Sequence, residues 1–233
     1  MKNLLLPALL GLAALTTAHA QSTQTRQVPT FRAISVGTGI ELTLTAGRSQ
    51  RVEVSAATDA YRDHIETTVS DGVLTLRYKN DDTRNSRNDR TNKRLRVAVT
   101  ADELTALTAG SGSSVHTSGD FDAAEFRLDV SSGASVQADL ATTTLTVRQS
   151  SGSSAILSGR ATSLDVQSSS GASLDAPKLQ ADHCRAEASS GSSITVAVKD
   201  DLVAQASSGG SISYKGSPQL TKRTSSGGSV SGR

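Results

Sequence analysis

Tryptophan is absent and aromatic residues make up only 3% of the chain, so the large rings that usually fill a globular core are missing. Any core must come from narrow rows of Val, Leu, Ile and Ala. The single cysteine, Cys184, excludes an internal disulfide. A formal net charge of +2 is too small to argue for nucleic acid. No second long apolar run follows the first twenty residues, so no transmembrane segment is expected in the mature chain. Helical spacing of apolar residues fits nowhere in the repeated part, where Ser, Thr and Gly are dense and oppose helix.

Residues 1–20 read as a secretory signal peptide. Lys2 supplies the positive start, Leu4 to Leu15 the apolar stretch, and Ala18-His19-Ala20 a small-x-small cleavage site. The apolar stretch is shorter than the roughly 20 residues a membrane-spanning helix needs, and no Cys follows it to carry a lipoprotein anchor. The expectation is export, to the periplasm, the outer-membrane surface or the medium.

What the chain has in abundance is one phrase. From Ala109 to Arg233, Ser-Gly, a small residue, Ser and an apolar residue recur seven times, centred on Gly112, Gly133, Gly152, Gly171, Gly191, Gly209 and Gly227. The spacings are 21, 19, 19, 20, 18 and 18 residues. Self-similarity at a period near 20 marks a stacked repeat. Three residues after each glycine stands an apolar column: Val115, Val136, Ala155, Leu174, Ile194, Ile212, Val230. Seven before the later glycines stands another: Phe126, Leu145, Leu164, Cys184, Leu202, Leu220. Five before stands Leu128, Val147, Val166, Ala186, Ala204, broken at the end by Lys222.

The last two columns lie two residues apart, which is the strand period. Coils stacked about 4.8 Å apart turn each column into a ladder. The predicted fold is therefore all-β: a parallel β-helix of about 20-residue Ser/Gly-rich coils over residues 108–233. Cys184 sits in the Leu145/Leu164/Leu202/Leu220 column and reads as a small buried hydrophobe, with a reactive thiol as the alternative.

Residues 21–30 read as a polar lead-in. Residues 31–107 read as a less regular β segment, the first coils or cap of the same solenoid. Ile34, Val36, Ile40, Leu42 and Leu44 alternate around Gly37-Thr38-Gly39, and Val52 and Val54 follow. A short helical turn is placed before His64. Thr67–Val69 and Val73–Tyr78 flank an Asp71-Gly72 hairpin turn, and Leu95, Val97 and Val99 form a further strand. Residues 79–94 form the charged block, read as a long solvated loop. Its cations Arg84, Arg87, Arg90, Lys93 and Arg94 are candidates for an anionic glycan or headgroup patch. The last coil ends without a visible cap, which predicts that another protomer or the N-terminal segment covers it, and a homo-oligomer through the solenoid ends.

The candidate binding face is the serine column two residues after each glycine: Ser114, Ser135, Ser154, Ser173, Ser193, Ser211 and Ser229. Strand parity points this column outward with the glycine, and the serine directly before each glycine inward with the small residue after it. The competing reading of these serines is turn chemistry and internal hydroxyls that satisfy buried backbone. No catalytic constellation stands out. Asp129, Asp139, Asp165 and Asp175 share no offset, His64, His116 and His183 are scattered, and neither the nucleophile elbow nor the calcium-binding nonapeptide occurs. No enzyme activity, cofactor or metal is expected.

The strand-rich opening with Gly39-Ile40-Glu41, the Asp71-Gly72 hairpin, Leu104–Leu107 and the serial Ser-Gly phrases together resemble the bacterial family called putative auto-transporter adhesin, head GIN domain. The resemblance runs from about Phe31 to Val230. It implies a β-helical extracytoplasmic domain with a surface or adhesion role, and supplies no catalytic residues. Glu41 departs from the Asn expected there. No C-terminal stretch is long enough for a translocator barrel, so the word auto-transporter is not expected to be literal. The function expected is a non-enzymatic adhesin or glycan- or surface-binding module at the cell envelope. The alternative is a periplasmic scaffold or self-assembling envelope protein.

Overall fold

The computed structural model describes residues 23–79, 92–119 and 121–233. Residues 1–20, read above as a signal peptide, lie outside the described residues. The chain forms a β-solenoid of about seven turns, with all its strands in one continuous sheet. The long strands β11 (Ser135–Gln149), β12 (Ser154–Ser168), β13 (Ser173–Ala188) and β14 (Ser193–Ala206) each run from one Ser-Gly turn to the next, and β10 (Phe121–Val130) ends at the first of them. The last coils divide into β15 (Ser211–Lys215), β16 (Gln219–Thr224) and β17 (Ser229–Gly232). Pairing is parallel and in register. Leu145, Leu164, Cys184, Leu202 and Leu220 stand opposite one another in turn, as do Val136, Ala155, Leu174, Ile194, Ile212 and Val230. The apolar columns are thus interior ladders, each coil burying its face against its neighbours.

The Ser-Gly phrase makes a tight turn in each coil of the repeat. In the coil of Gly133, Ser132 and Gly133 are both left-handed, at φ 53° and 69°, and the Ala134 N–H donates to Ser131 O at 3.1 Å. Two successive left-handed residues closed by this bond make a type I′ turn, for which Gly is the low-cost second residue. The Gly133 N–H then donates to Ser151 O of the next turn at 3.0 Å. The same bond recurs between all consecutive turns, so the corner itself is hydrogen-bonded along the solenoid axis. The turn also corrects the parity expected for its serines. The column before each glycine (Ser111, Ser132, Ser151, Ser170, Ser190, Ser208, Ser226) is exposed, not inward. A left-handed pair reverses the direction of the chain instead of continuing the pleat, so both central residues project outward.

The same turn begins earlier than the phrase suggests. Thr38 and Gly39 have φ 55° and 69°, and the Gly39 N–H donates to Ser111 O at 3.0 Å. They join β2 (Ala33–Val36) to β3 (Glu41–Ala46). This coil is not at the end of the stack. β2 lies between β6 (Val73–Tyr78) and β8 (Ala106–Ala109), and β3 between β7 (Arg96–Ala101) and β9 (Ser114–Ser118). The outermost coil is therefore β6 and β7, later in sequence. Antiparallel strands close that end. β5 (Ile65–Ser70) pairs with β6 through the Asp71-Gly72 hairpin, β4 (Arg51–Ser55) with β7, and β1 (Thr23–Arg26) with β4. β1 lies in what read as a lead-in, because its Thr-Gln-Thr-Arg is an exposed edge with no apolar alternation to mark it. Helix α1 (Asp59–Asp63) follows β4, capped by Thr58, whose hydroxyl accepts from the Tyr61 N–H at 3.3 Å.

Candidate functional site

The residues after each glycine divide by depth. Ser113, Ala134, Ser153, Ala172 and Ser192 are buried under the turn. Their hydroxyls work inside: Ser153 Oγ donates to Val130 O at 2.9 Å and Ser192 Oγ to Ser168 O at 2.7 Å. This is the backbone-satisfying role read as one alternative, and it falls on this column. Ser114, Ser135, Ser154, Ser173, Ser193 and Ser229 are exposed and Ser211 is half-buried, so the candidate comb lies on the outer face. Its hydroxyls partly engage one another: Ser135 Oγ donates to Ser114 Oγ at 3.1 Å and Ser229 Oγ to Ser211 Oγ at 3.3 Å.

The outer face on the other side of the turn carries a more concave feature. Four residues before each glycine stand Asp129, Arg148, Gln167, Glu187, Gln205 and Arg223, opposite one another in register along the stack. Two residues nearer the turn stand Ser131, Ser150, Ser169, Ser189, Ser207 and Ser225. Between these columns lie two cavities, of 470 Å³ and 230 Å³, which share Glu187 and Ser189 and so run end to end along the axis. Arg127 grips Asp129 through a fork of 2.7 and 3.1 Å, and Arg185 donates to Glu187 on the same pattern. Arg148, Gln167, Gln205 and Arg223 have no side-chain hydrogen bond or ion pair among the described residues. One oxygen of Asp165, on the neighbouring column, is shielded from solvent and unpartnered. The serines of this groove recur in every later copy of the phrase. Its polar wall keeps its offset but not its residue type, and offers no motif to a reader of the sequence.

The other candidates fall apart in space. Asp129 and Asp165 precede a turn, whereas Asp139 and Asp175 follow one, on a different stretch of the coil. His64 Nδ1 lies 2.6 Å from Ala60 O, His183 Nδ1 lies 2.8 Å from Asp201 Oδ2, and His116 stands apart on β9. No group of three or more metal-binding side chains occurs among the described residues. Cys184 is buried and its thiol is pushed up to about 12, first by burial and then by the charge of Asp165, which keeps it protonated. Of the basic block, Arg84, Arg87 and Arg90 lie outside the described residues. Lys93 folds back on the solenoid, with Nζ 4.5 Å from the ring centre of Tyr78 and 5.5 Å from that of Tyr61. Arg94 is exposed, and its backbone N–H donates to Asn92 Oδ1 at 3.2 Å. Among the described residues no helix is long and apolar enough to cross a membrane.

In-register parallel coils, a hydrogen-bonded turn ladder and one end closed by antiparallel strands define a capped parallel β-solenoid. The chain belongs to the family described as "Putative auto-transporter adhesin, head GIN domain", whose model matches residues 30–218. Solved structures share the fold. A "putative adhesin" of Bacteroides fragilis is 19% identical with TM-score 0.80, the match covering 93% of this chain and 98% of that one. One of Parabacteroides distasonis is 18% identical with TM-score 0.72, covering 92% and 97%. A "putative lipid binding protein" of the same species is 15% identical with TM-score 0.63, covering 93% and 98%. Comparison with curated proteins gives no match.

Proposed function

We propose that the protein is an exported, non-enzymatic adhesin of the cell envelope, which uses the outer face of its solenoid to hold a surface component. The observation that carries this is the repetition of one polar column in register over six coils, from Asp129 to Arg223. Polar side chains at one offset every 4.8 Å or so give many weak contacts in a line, and linked weak contacts add up to firm attachment. The separation of the acidic side chains onto different parts of the coil, and the pairing of Asp129 and Glu187 with arginines, favour binding over turnover. The family name and the secretory pattern of residues 1–20 support export.

The test is protease treatment of intact cells, followed by attachment assays with beads coated in the purified protein. Cleavage on intact cells together with bead attachment to cells or matrix is the expected result. Protection until the outer membrane is breached, with inert beads, overturns the adhesin reading. A second reading, a self-assembling envelope scaffold, is favoured by β16, every residue of which is exposed at the open end of the stack. Concentration-dependent assembly without added ligand would carry that reading.

A further inference from the structure

We infer that the axial groove beside the turns, and not the serine comb, is the ligand site, and that it takes an extended, uncharged polysaccharide laid parallel to the solenoid axis. This rests on the adhesin reading and names the site and ligand class within it. Three observations lead there. The groove runs along the stacking direction, through two cavities joined at Glu187 and Ser189. A linear polymer therefore meets a polar side chain and a serine at the same offsets on coil after coil. Its floor is fixed before any ligand arrives: the serines beside it belong to turns tied to one another by backbone hydrogen bonds, such as Gly171 N–H to Ser190 O at 3.1 Å.

The chemistry of the wall selects the ligand. The wall carries no run of free charge: Asp129 and Glu187 are paired with Arg127 and Arg185, and Arg148 and Arg223, unpaired among the described residues, stand four coils apart with Gln167 and Gln205 between them. A polyanion would therefore find only Arg148 and Arg223 as free cations along the column, and a polycation no free carboxylate in it. The groups with no partner among the described residues, Arg148, Gln167, Gln205 and Arg223, are planar and present paired hydrogen-bonding atoms. They suit the neighbouring hydroxyls of a sugar. Ser131, Ser150, Ser169 and the serines that continue them add single hydroxyls that donate and accept. An extended peptide is a poorer occupant. Strands β10 to β14, which form most of the groove, are paired on both sides, and the free edge of β16 lies only at the open end, so no strand edge runs along the groove for strand addition. The alternate residues Val130, Gln149, Ser168, Ala188 and Ala206 are buried, so no apolar side-chain pocket opens for an anchor.

The test uses the exported full-length protein and a panel of neutral linear glucans, mannans and galactans in graded lengths, with heparin as the polyanion. Binding to a neutral glycan should tighten with chain length, level off once the groove is filled, and change little with salt. Gln167→Ala combined with Gln205→Ala should weaken it about ten-fold or more, and Gln167→Trp, which fills the groove, should abolish it. These positions are on the surface, and unchanged melting curves confirm an intact fold. Ser135→Ala with Ser154→Ala and Ser173→Ala, on the comb, should leave binding unchanged. Loss of binding in the comb variants only, or binding to heparin only with steep salt dependence, overturns the assignment. Coated beads that attach to cells while no glycan binds also overturn it, yet leave the adhesin reading standing with a protein partner. Beads that attach to nothing, with no glycan bound, remove both.

Discussion

The two ends of the solenoid are built on opposite plans. At the first end the coils are lined by large aliphatic side chains and the rings of Phe31 and Tyr78, with Phe31, Ile34, Ile40, Leu42, Leu44, Leu74 and Leu76 almost wholly buried, and antiparallel strands close the stack. At the other end the interior is thin. Ala186, Ala188, Ala204 and Ala206 fill much of it, and the final coil has no cover among the described residues. One column shows the change. Leu145, Leu164 and Leu202 are at most 1% exposed, whereas Leu220 is 38% exposed. Since each coil of a solenoid is held by its neighbours, a coil with one neighbour keeps only part of its burial. The stack should be firmest toward its capped end and loosest at β16 and β17.

The sharpest way to break this comparison is to cut the same side chain at two places. Leu202→Ala should cost about 2–5 kcal/mol, the usual range for a core leucine. Leu220→Ala should cost well under about 1 kcal/mol, since most surface changes stay near that scale. Urea or thermal melts of both variants decide it, and equal losses would mean that the last coil is covered in solution.

A second contrast lies in the small column after each glycine. The last repeats shorten to 18 residues, and there the column is Gly210 and Gly228 instead of Ser or Ala. A Cβ at Gly210 would lie 2.4 Å from Ala188 O, whereas Ala172 is buried at the same place in its own coil. Gly210→Ala should therefore cost about 1–3 kcal/mol, as overpacking does. Ala172→Gly should cost only about 0.5–1 kcal/mol. At the turn itself Gly171, with φ 69°, meets nothing within 4 Å of an added Cβ. Gly171→Ala thus carries only the conformational cost of a left-handed residue, about 1–2 kcal/mol. The loss of melting temperature should be largest for Gly210→Ala, smaller for Gly171→Ala and least for Ala172→Gly.

Hydrogen exchange sharpens the comparison without mutation. Amides of β16 and β17 should exchange through local opening, well before those of β11 to β13. The smallest effect concerns Cys184. Thiol reagents at neutral pH should leave it unmodified until the protein unfolds. The thiol is raised from its ordinary 9.0 to about 12 on folding, so the unfolded state loses its proton first. Its contribution to stability is complete below about pH 9 and is lost as pH rises toward 12. Cys184→Val should flatten that alkaline fall.

The ladders of the repeated part could be read directly because a parallel solenoid places equivalent residues at a fixed offset. Leu145 and Leu164 are nineteen residues apart in sequence and one coil apart in space. The Thr38-Gly39 turn was legible in principle by the same rule. Glu41 and Leu42 keep the offsets of Ser114 and Val115, against which they pair, but Ile40 stands where the later copies have a small residue. The groove was not legible, since its wall mixes Asp, Arg, Gln and Glu at one offset and its cavity arises only between coils. The inward and outward serines were separable only in part. Parity predicts direction along a strand, and it failed at Ser132 and its equivalents, where two left-handed residues reverse the chain.

The sequence by itself determined the all-β class, the coil length, the interior columns and the place of each later turn, because all of these depend on contacts between nearest neighbours at a constant period. Only the tertiary structure decided the order of the first coils, with β6 and β7 outside β2 and β3, and the antiparallel strands that close that end. These pairings join segments at no fixed separation. The tertiary structure also decided which hydroxyls face solvent at the corner and where the outer surface becomes concave. Both depend on the path of the chain through the turn and on side chains of several coils at once, which no single repeat contains.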